Sequence, residues 1–135
     1  MILDEMAAVL SAAGVASTTA VGSTGTAWAL TKRELQHQPS RMIAVIATGG
    51  FPQEPRLEID RPTFQLLIRG STGDSSGLEQ KVTDAVNALN LTDGTFSNWT
   101  YVDIQKRGDV LYLGRDENQR PLYSVNFLAL RSRTS

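Results

Sequence analysis

The 135-residue chain has no cysteine, which excludes disulfides, thiol nucleophiles and cysteine metal sites. That absence also suits folding in a reducing compartment. There is one histidine, His37. With no cysteine or acidic cluster at ligand spacing beside it, His37 makes a poor metal ligand and reads as a surface side chain. The same shortage removes the usual partner of an activated nucleophile. The carboxylate pairs Asp103 with Asp109 and Asp116 with Glu117 could serve acid–base chemistry. The second pair, however, lies in a polar loop, where pKa values are expected to stay ordinary. The expectation is no enzyme, no cofactor and no metal site.

No apolar run approaches the roughly 20 residues that a membrane-crossing helix needs. The first residues, Met1-Ile2-Leu3-Asp4-Glu5, are acidic where a secretory signal is basic, so synthesis in the cytoplasm and no membrane contact are expected. A formal net charge of −1 speaks against a duplex nucleic-acid binder, whose affinity rests on neutralising phosphates. Charge is uneven, however. From Lys106 onward six basic residues stand against three acidic ones, an asymmetry better suited to a protein–protein face.

The remaining composition, 41% hydrophobic and 20% charged, is that of a single globular domain over residues 1–135. Ile2, Leu3, Met6, Val9, Leu10 and Ala13 recur at helical spacing, with Gly14 placed for a left-handed cap, so a helix is predicted over 2–13. Ser17 to Thr26 is small and polar. It imitates a phosphate loop but lacks the lysine and the preceding strand, and reads as a flexible loop. Ala27–Leu30 reads as a short strand and Met42–Ala47 as a strand covered on both faces. Gly49–Pro55 reads as a loop. Thr63–Arg69 alternates, with Phe64, Leu66 and Ile68 on one face and Gln65 and Arg69 on a polar one. Arg69 is then either an interface residue or part of a solvated strand edge.

Ser71–Gly77 reads as a turn-rich linker, and Ser76 with Glu79 has capping-box spacing. Leu78, Val82, Ala85, Val86 and Leu89 form the stripe of a second helix. A three-stranded meander follows: Trp99–Lys106, Val110–Leu113 and Leu122–Leu130. Its aromatics Trp99, Tyr101, Tyr112, Tyr123 and Phe127 read as core or cross-strand packing. The predicted fold is α+β, order α-β-β-β-α-β-β-β, with two helices on one face of a mainly antiparallel sheet.

Seven residues, Arg115 to Pro121, almost all charged or polar, separate the last two strands and read as a projecting loop that touches a partner. Here Gly114-Arg115-Asp116-Glu117-Asn118-Gln119-Arg120, followed by Tyr123-Ser124-Val125-Asn126-Phe127, resembles the pattern G-x-D-E-N-G-R-x-x-Y-S-x-N-F. That pattern stands near the end of siphophage minor capsid proteins, the tail-terminator or tail-completion proteins. Gly49-Gly50-Phe51-Pro52 and Arg61-Pro62-Thr63-Phe64-Gln65-Leu66-Leu67-Ile68-Arg69-Gly70 agree in order, so the resemblance spans nearly the whole chain. Gln119 stands where the family usually has glycine, so a tighter or longer loop is expected.

The resemblance implies a structural virion protein that forms a hexameric ring on the head-proximal end of the tail tube. It implies as partners further copies of the chain, the tail tube protein and the head connector or stopper, with the tape-measure protein a further one. A ring needs two different matching patches. The candidate interface residues are Arg69, Arg115, Asp116, Glu117, Arg120, Phe51 and Arg56, and reversing charge at Arg115 and Arg120 is expected to spare the fold but weaken assembly. The alternatives are another head–tail joining component, or a small monomeric module binding a ligand or nucleic acid on an aromatic sheet face. Segments Ser17–Thr26 and Ser71–Ser76 have the composition of loops that order on a partner.

Overall fold

The computed structural model describes residues 2–20, 22, 27–54, 59–73, 76–90, 94–96 and 99–133. The first helix, α1 (Ile2–Ala12), buries Ile2, Leu3, Met6, Val9 and Leu10, the stripe seen in the spacing. Gly14 takes φ +75, and the Val15 amide donates to the Leu10 carbonyl at 3.0 Å. That six-to-one bond with a left-handed residue closes the helix where the sequence placed its cap. The segment after it is more ordered than a flexible loop. The Ser17 amide donates to the Trp28 carbonyl, Ser17 bridges Ala29, and Thr18–Ala20 forms a 3-10 turn. Most of the rest of that loop lies outside the described residues.

Strand β1 (Ala29–Lys32) starts two residues later than Ala27–Leu30, because its parallel ladder runs from Ala29 against Met42 to Lys32 against Val45. Strand β2 (Met42–Ala47) is buried over its first four residues, as a continuous apolar run demands. The loop expected over Gly49–Pro55 instead holds strand β3 (Phe51–Glu54), paired with β4 (Ile59–Arg61). Gly49 and Gly50, at φ +99 and +98, bend the chain between β2 and β3. Pro62 stands at the matching break between β4 and β5 (Thr63–Arg69). These halves therefore behave as two long bent strands.

Helix α2 (Ser76–Leu89) buries Leu78, Val82, Ala85 and Leu89. Ser76 is its first residue, but the side chain of that capping candidate lies outside the described residues. A short strand β6 (Gly94–Phe96) precedes β7 (Trp99–Arg115), and β8 (Pro121–Arg133) ends the described chain. The two strands expected at Trp99–Lys106 and Val110–Leu113 are one strand. Between them the ladder shifts register from Arg107 against Asn126 to Leu111 against Ser124. Gly108, at φ +71, absorbs the extra residues as a bulge. The unbroken β8 is a template long enough to hold both halves.

The sheet runs β1-β2-β5-β8-β4-β3, with β7 along β8 and β6 on β7. Only the β1–β2 ladder among these strands is parallel. Both helices lie over one face, where α1, α2 and the Phe64, Leu66, Ile68 side of β5 share one core. Phe64 and Phe127 stack there with ring centroids 5.1 Å apart. This is the α+β arrangement expected, with two helices on a mainly antiparallel sheet. The other face of β5 departs from the alternation. Because β5 is flanked by β2 and β8, its end is no solvated edge, and Thr63 and Arg69 are buried.

Candidate assembly surface

The hairpin joining β7 to β8 is far tighter than a seven-residue loop. Pairing reaches Arg115 against Pro121. The Gln119 amide donates to the Asp116 carbonyl and the Asp116 amide to the Arg120 carbonyl, each at 3.0 Å. Gln119 takes φ +62. A turn followed by one left-handed residue is a standard three-residue hairpin closure, and glycine adopts that conformation without steric cost. The glutamine is therefore accommodated, not bypassed by a rebuilt loop. Gln119→Gly is expected to raise stability by ~0.5–1 kcal/mol in urea unfolding. This is the left-handed strain relieved less the extra entropy of glycine.

Asp116 organises the turn. Its Oδ1 accepts the Asn118 and Arg120 amides at 2.9 Å each, and its Oδ2 accepts Arg120 Nε at 2.8 Å. Burial pushes its carboxyl upward. The backbone and side-chain bonds from Arg120 and the Asn118 amide outweigh that and hold it below the usual carboxylate range. The ordinary pKa expected for this loop is thus corrected. A folded-state pKa below the unfolded one means that the stability Asp116 contributes is present above the ordinary carboxylate range. It is lost as pH falls below that range, through the lowered folded-state pKa.

Two buried arginines lock the neighbouring connection, residues 33–41, which links the parallel pair β1 and β2 without a helix. Arg69 donates to the carbonyls of Ser40 and Pro39 at 2.9 Å each and to that of Gln36. Arg120 donates to the His37 carbonyl at 2.7 Å. Burial, then the adjacent Arg120, pull the Arg69 guanidinium down to about 10, with Asp116 opposing, so it stays charged at neutral pH. A connection this short turns its carbonyls inward, and the guanidinium satisfies them.

The sequence candidates thus divide. Arg69 and Arg120 are 4% and 7% exposed and have partners inside the subunit. Arg115 and Glu117 are exposed at the tip, and Arg115 donates to the Thr72 carbonyl at 3.1 Å and to that of Gln119 at 2.6 Å. Asp116 is half-buried. Phe51 lies in β3, but its side chain, like the whole of Arg56, lies outside the described residues. The expectation that reversing both Arg115 and Arg120 spares the fold does not fit this geometry. Arg120→Glu is expected to cost about 2–4 kcal/mol in urea unfolding, since it sets two carboxylates together and strands the His37 carbonyl. Arg115→Glu is expected to stay within about 0.5 kcal/mol of the wild type.

A second feature escaped the sequence. The exposed large hydrophobics among the described residues, Val102, Leu111, Tyr112 and Leu113, all lie on β7. Tyr112 is 56% exposed and outside the core, and it makes the cross-strand packing expected, on Tyr123 directly opposite at 5.2 Å. The run Val110–Leu113 without alternation was the available signal. Tyr101, by contrast, is buried at 1% and cannot serve a ligand-binding sheet face. Gly73-Asp74-Ser75-Ser76-Gly77 has the spacing of a nucleophile elbow. Ser75 lies outside the described residues, and its position stands six after the end of β5 and one before the start of α2.

A family model described as bacteriophage tail terminator protein matches residues 10–132. This chain belongs to the bacteriophage tail terminator family. No curated protein sequence matches it. A chain from the virion of a native gene transfer agent particle shares its fold with a TM-score of 0.65, at 9% identity, over 96% of each chain. By its family the protein is a structural, tail-related phage protein, and its fold is shared with that virion chain.

Proposed function

We propose that this tail terminator family member forms a hexameric ring on the head-proximal end of the tail tube. There it ends tube polymerisation and offers a docking surface to the head connector. Its partners are further copies of itself, the tube protein, the connector or stopper and the tape-measure protein. The observation that supports this reading is the hairpin tip. Asp116 and Arg120 direct their hydrogen bonds inward, while Arg115, Glu117 and Asn118 face solvent on a pre-ordered turn. A rigid tip presenting both signs of charge can select a partner without a large ordering cost.

The test separates contact from fold. In the double variant Arg115→Glu, Glu117→Lys, the unfolding midpoint is expected to be unchanged while completion of tails in an in vitro assembly reaction slows at least about tenfold. Completion at the wild-type rate would remove the tip from the interface.

A further inference from the structure

The sheet's two sides are finished differently. On β1 the outer edge is covered by Ser17, which takes the Leu30 amide on its carbonyl. On β7 the outer edge is covered by β6 through Tyr101, and the Lys106 amide reaches the Asn90 side chain. From Gly108 to Arg115 no strand among the described residues pairs with that edge. A bare edge of this kind is normally blunted by charge, because its free amides and carbonyls recruit other strands. Here the middle of it is Leu111-Tyr112-Leu113, 52%, 56% and 54% exposed.

The segment is also self-complementary. About Tyr112 as centre, an antiparallel second copy sets Tyr112 against Tyr112, Leu111 against Leu113, and Asp109 against Arg115. Asp109 and Arg115 are both exposed, and two such opposite-charge pairs flank an apolar centre. Directly opposed side chains of this kind are what stabilise antiparallel pairing, whereas like charges in those positions would oppose it. The register shifts between Arg107 and Leu111 and at Leu113 fall within this stretch, so the pairing is short and centred on Tyr112. We infer that in the free protein two copies pair edge to edge through Asp109–Arg115 of β7 about a two-fold axis at Tyr112. The contact is isologous, and so differs from the head-to-tail contact that a ring requires. It covers the apolar edge before incorporation into a tail.

The chain's lack of cysteine makes the test direct. In the full-length variant Tyr112→Cys, mild oxidation is expected to give a covalent dimer on a non-reducing gel, because residues directly opposite in an antiparallel pair lie within disulfide reach. Asp109→Cys, away from the axis, is expected to remain uncrosslinked. By sedimentation the wild type is expected at twice 14.7 kDa. Leu111→Asp with Leu113→Asp should weaken dimerisation at least about tenfold with an unchanged far-ultraviolet circular dichroism spectrum. A monomeric wild type, or equal cross-linking of the Asp109→Cys and Tyr112→Cys variants, overturns the inference. A wild-type hexamer whose Tyr112→Cys variant gives no cross-link overturns it too and leaves the ring reading standing. A cross-linked Tyr112→Cys dimer whose reduced form never caps a tube supports this contact and sinks the ring reading instead.

Discussion

Arg131→Ala is expected to destabilise the chain by about 3–5 kcal/mol, measured by denaturant unfolding followed through tryptophan fluorescence. Arg131, on β8, is 8% exposed. Its Nε and Nη2 donate to Asp60 Oδ2 at 3.0 and 2.7 Å, and its Nη1 to Glu5 Oε2 at 3.3 Å and to the Tyr101 hydroxyl at 3.0 Å. The guanidinium also lies 4.1 Å from the Trp99 ring centre. One side chain thereby ties α1, β4, β7 and β8 together. Removing it leaves Glu5, 3% exposed, as a buried carboxylate facing a phenol that burial already holds well above its ordinary pKa. The size of the loss comes from that stranded charge more than from the bonds themselves. Arg131→Lys is expected to recover only part of it, since an ammonium can neither reach three partners in a plane nor stack on Trp99.

Gly50→Ala is expected to cost about 2–4 kcal/mol, read from the shift in urea midpoint. At φ +98 an L side chain is strained by about 1–2 kcal/mol before any contact is counted. A Cβ would also sit 2.7 Å from the Arg61 carbonyl oxygen and 2.8 Å from Pro62 Cα, both backbone atoms of the facing strand. The hairpin would have to open at its bend. Gly49→Ala, at φ +99 with nothing within 4 Å of its Cβ, should carry only the conformational part. The contrast between two adjacent glycines isolates the close approach. Equal costs at both positions would show that the bend does not depend on it.

The parts legible in the sequence were those fixed by local periodicity. The stripes of α1 and α2, the cap at Gly14 and the bounds of β5 follow from spacing that each element imposes on itself. What the spacing hid depends on residues far apart. Gly49–Pro55 has the composition of a loop, and β3 exists there because β4 pairs with it. Gly108 falls between two segments that read as separate strands, but β8 spans it and makes it a bulge. Arg69 and Arg120 read as surface charge, and only the fold reveals the inward carbonyls of residues 33–41 that bury them. The polar stretch from Arg115 to Pro121 was correctly singled out as a hairpin, but the bonds of Asp116 that shrink it are tertiary detail. The exposure of Leu111 and Leu113 was not legible because burial is not written in a side chain's own chemistry.

The measurement that bears most directly on the proposed role is electron microscopy of tail tubes lacking their upper end, incubated with the purified protein. Ring density on one end of each tube is expected, with no further elongation when tube protein is added. Bare tubes that continue to grow would contradict the capping role and assign this tail terminator family member to another joint in the tail.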